Sequence, residues 1–194
     1  MTASFHRPEP GPSHHRPMPE APEPESLPCY EERLAAALGT PVEPRGKLYD
    51  LRFVTPLSFV VARDPSLRCS RVLVWLRVTG LGADHVREAV EASNQVLHSC
   101  LLAYLSDATL IEPVLTTHGM SWLTDVERGA SLDHAIWFHR PFRANGWLLY
   151  ELETTSTFGA RGLSHGRFFS REGVLIASVT QEVLIRAACR PQAD

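Results

Sequence analysis

The sequence predicts an α+β protein in which a curved antiparallel sheet wraps around one long central helix. Two strand-like segments come first, and a long helical segment with an apolar stripe follows them. The last third of the 194-residue chain then alternates strand-like segments with turn residues. A sheet curled around a single buried helix is an economical way to satisfy that order.

Length and composition favour a globular protein with one domain of ordinary size. A hydrophobic fraction of 44% can supply a core for a chain of this length. The formal net charge of -3 gives no electrostatic support for a nucleic-acid partner. No apolar run approaches the roughly 20 residues that span a bilayer. We therefore expect neither nucleic-acid binding nor membrane association.

Cysteine usage and the two termini favour a cytoplasmic protein. The four cysteines (Cys29, Cys69, Cys100 and Cys189) lie far apart and form no CxxC pair, which argues against a zinc ribbon and favours reduced thiols. The polar, proline-rich N-terminus predicts no secretory signal peptide. The C-terminal residues RPQAD do not match a peroxisomal SKL-type signal.

Proline content sets the predicted domain boundaries. Residues 1–28 hold 8 of the 15 prolines and almost no large aliphatic side chains, so we expect a disordered tail or linker. Residues 29–46 contain YEERLAAALG, a predicted short helix that Gly39 ends, and a connector. Residues 47–190 form the predicted globular domain.

Within that domain, KLYDLRFV and CSRVLVWLRVTG are predicted strands. A long helix is expected from an N-cap at Asp84 to a stop at Pro113. Its apolar stripe includes Leu97, Leu101, Tyr104 and Leu105. The segments ASLDHAIWFHR, WLLYELETTSTF, ARGLSHGRFFS and GVLIASVTQEVLIR then predict a four-stranded antiparallel meander, with PFRANG and REG at turns.

One carboxylate interrupts the apolar segment LLAYLSDATLIEPVL. On a continuous helix the neighbours of Asp107 would be Ala103, Tyr104, Leu110 and Ile111. A carboxylate in these surroundings loses hydration and must find hydrogen-bond donors. The structural alternative is a helix-end aspartate that turns to water or caps a neighbouring turn.

Two further polar side chains stand out in the C-terminal third. Gln181 interrupts an otherwise apolar row of the last strand, and an unpaired inward amide there would cost on the order of 1–3 kcal/mol. It could bond a nearby backbone group or share a pocket with another polar group. Ser131 lies at a strand entry, where turn and cap roles are common, and no GxSxG motif marks it as a nucleophile. An acid, an amide and a hydroxyl together suit the positioning of a water molecule.

Three blocks of this sequence resemble the C-terminal half of the acyl-CoA thioesterase II family. They are LAYLSDATLI, ASLDHAIWFHRPFRANGWLLYELETTSTFGARGLSHGRFF and EGVLIASVTQEVLIR, and the similarity runs from about Lys47 to Arg186. It implies a hotdog fold, which family members contain twice per chain, and a water-activating triad of Asp, Ser or Thr, and Gln. By motif these residues are Asp107, Ser131 and Gln181.

The resemblance implies hydrolysis of an acyl-CoA to the free acid and CoA by direct attack of water, with no metal or organic cofactor. Asp107 would be the general base, while Ser131 and Gln181 would orient the water and help to polarise the carbonyl. Basic residues of the same blocks are candidates for binding the phosphates of CoA, although a solvated turn and strand face is the alternative. These candidates are His139, Arg140, Arg143 and Arg161.

The chain departs from the family because most of the first hotdog is missing. A lone hotdog would expose an apolar sheet edge and helix flank, so we expect a homodimer or higher homo-oligomer. The same departure suggests an alternative function, a catalytically weak or inactive subunit that binds acyl-CoA or a longer relative. A hydratase or dehydratase would need a catalytic histidine from LDHAIWFH, but the expected role of His134 is packing against the sheet.

Overall fold

The computed structural model describes residues 2–7, 9–42, 48–79 and 94–188. Its helices in this part of the chain are α1 (Tyr30–Leu38), α2 (Ser58–Val61), α3 (Gln95–Asp107) and α4 (Glu112–His118). The strands are β1 (Tyr49–Phe53), β2 (Arg71–Val78), β3 (Val126–Ser131), β4 (Ala135–Phe138), β5 (Leu148–Phe158), β6 (Arg161–Ser170) and β7 (Leu175–Ala187). None of these described helices is long and apolar enough to cross a membrane.

The strands form one antiparallel sheet that curves around α3. The strand order is β1-β2-β5-β6-β7-β3, and β4 also pairs with β7. Leu102 and Leu105 of α3 belong to one buried cluster with side chains from the inner face of the sheet, among them Val74 and Val179. This arrangement confirms the predicted α+β hotdog fold.

The connectivity differs from the predicted meander. Strands β5, β6 and β7 do form a meander, but PFRANG does not close a hairpin. The strand before it, β4, pairs with β7, where Ile136 lies opposite Val179. Strand β5 pairs instead with β2, where Tyr150 lies opposite Val74. Alternating polarity identifies strands but not their partners, because a six-residue connection is compatible with a hairpin or a crossover.

The predicted long helix is divided near its C-terminal end. Helix α3 ends at Asp107, and Pro113 does not stop it but occupies the first turn of α4, where a missing N–H is tolerated. The predicted N-cap Asp84 lies outside the described residues. In the structure Asn94 caps α3 and accepts a hydrogen bond from the Leu97 N–H at 3.2 Å.

The buried face of α3 is also shifted by one residue from the predicted stripe. The buried side chains are His98, Leu102, Leu105 and Ser106, whereas Tyr104 is 60% exposed. Most residues of LLAYL are apolar, so polarity alone does not determine which face meets the sheet. This rotation leaves Asp107 at the edge of the buried face.

Residues 18–27 of the proline-rich segment lie against the outer face of the sheet, whereas a disordered tail or linker was expected. Met18, Ala21 and Leu27 pack on an outer cluster made of Trp75, Trp147, Leu149 and Phe169. The Trp75 indole N–H donates to the Pro22 carbonyl at 2.9 Å. These outer side chains are large and apolar, so covering them removes apolar area from water and stabilises the fold. The composition of the tail alone does not reveal this contribution.

Helix α1 confirms the predicted short helix, which Gly39 ends with a left-handed φ of 70°. It does not stand apart from the sheet. Tyr30 and Leu34 pack against the main core, and Arg33 donates to the Phe53 carbonyl at 2.6 Å. The predicted boundary between connector and domain, at residues 46 and 47, lies outside the described residues.

Candidate active site

Three polar side chains meet where α3, β3 and β7 converge. Asp107 is the last residue of α3, Ser131 is the last residue of β3, and Gln181 lies near the middle of β7. The Ser131 hydroxyl donates to Asp107 Oδ1 at 2.8 Å and accepts from Gln181 Nε2 at 2.8 Å. The structure therefore brings together the three predicted site residues, with Ser131 bridging the other two.

Strand register explains why Ser131 and Gln181 meet. Ser131 pairs with Val183 in the β3–β7 ladder, and Gln181 lies two residues away on the same face of β7. The Gln181 side chain is inward, as predicted, and only 1% exposed. A buried amide requires hydrogen-bond partners, and Ser131 is one of them.

Asp107 is exposed at the end of α3, which agrees with the alternative of a helix-end aspartate that turns to water and differs from the expectation of a dehydrated carboxylate. The helix ends at this residue, so Leu110 and Ile111 do not continue its face. Ser131 holds Oδ1, whereas Oδ2 has no hydrogen-bond partner in the part of the chain that is described. The second oxygen of the carboxylate is thus available to bind a water molecule.

The three residues line a cavity of about 450 Å³. Its remaining wall is mixed in polarity and includes Phe59, Ile111, Glu112, Trp122, Leu123 and Val183. A second cavity of about 490 Å³ shares Asp107 and Ser131 with the first and is bordered by Tyr104, Leu132 and His134. The carboxylate and the hydroxyl therefore lie between two spaces, each large enough for part of a small-molecule ligand.

A second carboxyl group lines the first cavity, and the sequence reasoning missed it. Glu112 begins α4 and accepts a hydrogen bond from the Ser58 N–H at 3.3 Å. Burial raises the pKa of Glu112 above its ordinary value of 4.5. Tyr30 lines the same cavity. Its own burial is the largest cause that raises its pKa, and the nearby charge of Glu112 is the second. The only signal in the sequence was an acidic residue within an apolar segment, directly before Pro113.

Tyr150, a buried residue of β5, is hydrogen-bonded to the end of α3. Its hydroxyl donates to the Ser106 carbonyl at 3.0 Å, one residue before Asp107. Burial and, second, the charge of Asp107 raise the pKa of Tyr150 well above its ordinary value, so the phenol keeps the proton that it donates. Its ring stacks on Phe168 with centroids 3.7 Å apart and lies directly over Gly166, which offers no Cβ to displace it.

His134 links Gln181 to α3, a role that the sequence reasoning also missed. Its Nδ1 is hydrogen-bonded to Gln181 Oε1, and its Nε2 lies 2.8 Å from Ser106 Oγ. The predicted packing of His134 against the sheet does not describe this residue, which is exposed and bonded through both ring nitrogens. Neither bond reaches a carboxylate, so within the described ranges His134 does not form the His–carboxylate contact that would favour a hydratase.

The predicted cationic residues lie away from these three residues. His139 Nε2 is 2.8 Å from Ser178 Oγ, and burial together with the charge of Arg140 lowers the pKa of His139. Arg140 and Arg143 line a separate cavity of about 810 Å³. In contrast, Arg161 forms an ion pair with Glu182 at 3.0 Å. The four residues therefore do not form one cluster.

No group of three or more His, Cys, Asp or Glu side chains in the described ranges is arranged to hold a metal ion. The described cysteines (Cys29, Cys69 and Cys100) are free thiols.

Comparisons with known proteins connect this geometry to a family. Residues 85–184 match the model of the acyl-CoA thioesterase family. The chain is 34% identical to acyl-coenzyme A thioesterase 8 of Mus musculus over 195 residues, which cover 95% of this chain and 58% of that protein.

Solved structures agree with this match. An acyl-CoA thioesterase II, TesB2, from Mycobacterium marinum superimposes with a TM-score of 0.65 at 36% identity, over 93% of this chain and 59% of that chain. A protein with a hot dog fold from Alicyclobacillus acidocaldarius gives a TM-score of 0.62 at 18% identity, over 94% and 60% of the two chains, and shows the fold alone.

The chain spans about three fifths of the length of these relatives. The matched region covers more than half of the 194 residues and contains Asp107, Ser131 and Gln181. This chain belongs to the acyl-CoA thioesterase family.

Proposed function

We propose that this chain hydrolyses an acyl-CoA to the free acid and coenzyme A. The observation that carries the proposal is the hydrogen-bonded set of Asp107, Ser131 and Gln181 at the wall of a cavity of about 450 Å³. Membership of the acyl-CoA thioesterase family supports the same class of reaction.

In the proposed mechanism, water attacks the thioester carbonyl directly. Asp107 accepts a proton through Oδ2 as the water oxygen bonds to the carbonyl carbon. The tetrahedral intermediate then collapses, the carbon–sulfur bond breaks, and Asp107 returns the proton to the thiolate leaving group. The products are the free acid and the thiol of CoA, so atoms and protons balance without a covalent enzyme intermediate.

Ser131 and Gln181 would act on orientation and charge. The Ser131 hydroxyl holds Asp107 Oδ1, which directs Oδ2 toward the water. Gln181 uses one amide N–H for Ser131, and its second N–H is available to the carbonyl oxygen as negative charge develops there.

The direct test is thiol release from acyl-CoA substrates of medium and long chain length. We expect CoA thiol and free acid in a 1:1 ratio, followed with a thiol reagent and by mass spectrometry. Saturable binding of acyl-CoA in calorimetry, with no thiol released by folded protein, would contradict hydrolysis. That result would favour the second candidate function, a binding subunit without turnover.

The phosphates of CoA are proposed to bind near the end of β4. Arg140 and Arg143 line the 810 Å³ cavity together with Arg77 and Arg171. Arg77 is paired with Asp50 and Arg171 with Glu25, whereas the Arg140 guanidinium donates to the Leu175 and His14 carbonyls. His139 lies beside Arg140, whereas the ion pair of Arg161 with Glu182 makes Arg161 the weakest of the four candidates. We expect R140A to weaken CoA binding more than R161A does in calorimetry at low salt. Equal affinities of the two variants would contradict this location.

A second copy of this chain is the proposed partner. Large apolar side chains are exposed around the rim of the site, including Leu132 at 50% and Leu123 at 58%. Asp107 and Ser131 are exposed at the same rim, so a second copy would also close the site. We expect a dimer in light scattering, and L132D should shift it toward the monomer and lower turnover. A wild-type chain that is monomeric at concentrations where it is active would contradict the dimer.

We also propose that the chain acts in the cytoplasm, which the free thiols of the described cysteines support. Cell fractionation with an antibody against the chain tests this location, and recovery of the protein in an organelle fraction would contradict it.

A further inference from the structure

We infer that His134 is a positioning residue that fixes the amide orientation of Gln181. The kinetic consequence rests on the proposed hydrolysis, whereas the orientation itself is a property of the folded chain. Hydrogen bonds connect Asp107 to Ser131, Ser131 to Gln181, Gln181 to His134 and His134 to Ser106.

Proton count determines the direction of the first two hydrogen bonds. The ionised carboxylate of Asp107 can only accept, so the Ser131 hydroxyl gives it the single proton that it has. Ser131 Oγ can then only accept from Gln181, and the atom 2.8 Å away must be the amide nitrogen. This assignment leaves Gln181 Oε1 on the side of His134.

An amide side chain can present either of its two ends to a neighbour. If the Gln181 amide were reversed, its oxygen would face Ser131 Oγ, and neither atom would have a proton to share. Gln181 is buried, so bulk water cannot correct the mismatch. A neighbour that offers an N–H to Oε1 selects the productive orientation, and His134 Nδ1 makes this contact.

The His134 ring is held in place from its other side. Its Nε2 lies 2.8 Å from the hydroxyl of Ser106, which is fully buried next to Asp107. If the ring is neutral, Ser106 donates to Nε2. If the ring is an imidazolium, Nε2 donates, and Ser106 gives its proton to the Ala103 carbonyl at 2.8 Å. Nδ1 carries a proton in both states.

The backbone around His134 is also anchored to β7. The Leu132 N–H donates to the Glu182 carbonyl at 2.9 Å, and the Glu182 N–H donates to Asp133 Oδ1 at 2.7 Å. These contacts fix the short segment between β3 and β4 beside the residue that follows Gln181. The ring is thereby presented to the amide without a long flexible connection.

The first test measures the proton on His134 and does not depend on activity. Long-range proton–nitrogen NMR of the full, ¹⁵N-labelled chain reports which ring nitrogens are protonated, and the H134N spectrum assigns the signal. We expect a proton on Nδ1, either as the neutral Nδ1–H tautomer or as the imidazolium. A bare Nδ1 would overturn the inference, even if the chain hydrolyses acyl-CoA.

The second test measures the effect on turnover. We expect H134A to lower kcat about 10- to 100-fold with KM changed less than about twofold, because the amide loses its fixed orientation. H134N should recover most of the activity, since the asparagine N–H can replace Nδ1–H. The matched control is H165N, which alters a histidine that contacts Thr180 on the opposite face of the sheet.

Unfolding temperatures separate positioning from stability. Wild-type kcat in H134A, or an H134N variant as slow as H134A when both unfold near the wild-type temperature, would overturn the inference. If H134A does not fold, the H134N kinetics and the NMR measurement still decide. If the wild type releases no thiol, the proposed function fails, and the NMR result alone tests the orientation.

Discussion

Ser131 Oγ lies 2.8 Å from Asp107 Oδ1, and this hydrogen bond joins the end of helix α3 to the end of strand β3. Each residue is the last one of its element. The relative position of the two side chains therefore depends on how helix α3 packs in the sheet. Small changes in that packing should alter turnover.

The first prediction concerns the proposed general base. D107N should lower kcat about 10²- to 10⁴-fold, because an amide cannot accept the proton of the attacking water. The matched control is D133N, which keeps an oxygen to accept the Glu182 N–H and lies outside the three-residue set. Steady-state thiol release measures both variants. A D107N variant within a few-fold of D133N would contradict the assignment of Asp107.

The second prediction concerns the bridging hydroxyl. S131A should lower kcat roughly 10- to 100-fold, since Asp107 loses its donor and Gln181 loses its acceptor. S131T keeps the hydroxyl and should retain most of the activity. The same thiol assay compares the two variants. If S131T is as slow as S131A, the hydroxyl is not what the site requires.

The third prediction concerns the close packing of Tyr150 on Gly166. A Cβ added at Gly166 would lie 2.6 Å from the Tyr150 hydroxyl oxygen, so G166A should reduce the free energy of unfolding by about 1–3 kcal/mol. At Gly146 the nearest atom would be the Arg143 carbonyl oxygen at 3.5 Å, an ordinary contact. G146A is therefore the control in urea denaturation. Equal stability of the two variants would contradict the close approach of Tyr150.

The fourth prediction concerns the pH dependence of stability. Burial raises the folded-state pKa of Glu112 above 4.5, so the stability linked to this proton is present below the unfolded pKa and is lost as pH rises through the folded value. E112Q keeps an oxygen for the Ser58 N–H and does not ionise. It should match the wild type near pH 4 and be more stable near pH 8.

Urea denaturation at both pH values measures this difference. E127Q, which changes an exposed carboxylate of β3, is the control for the loss of one negative charge. An equal gain at pH 8 in both variants would indicate a general charge effect instead of burial of Glu112.

The sequence predicted which three polar side chains lie together better than it predicted how the fold brings them together. Gln181 was found because β7 alternates regularly, so one polar residue in the inward row is easy to recognise. Asp107 was found in an apolar segment, but it is not a dehydrated carboxylate; it is exposed at a helix end, as the structural alternative expected. An almost uniformly apolar segment carries little information on helix rotation or helix termination.

The hydrogen bonds of His134 and the packing of the proline-rich segment on the sheet were not predicted, for a different reason. The contacts of His134 with Gln181 and Ser106 join residues that are 47 and 28 positions apart in sequence, and no local pattern encodes them. The proline-rich segment likewise has the composition of a linker. Its position depends on outer side chains of β2 and β5, such as Trp75 and Leu149, whose exposure only the three-dimensional sheet defines.

The cover of the outer face has a practical consequence for shortened versions of this chain. Trimming at the first regular helix, Tyr30, would remove Met18, Ala21 and Leu27 and leave two tryptophans, Trp75 and Trp147, facing solvent. Such a protein would be expected to self-associate through the outer face of the sheet, where these tryptophans lie. A proline-rich segment can thus belong to the folding unit as fully as the strands that it covers.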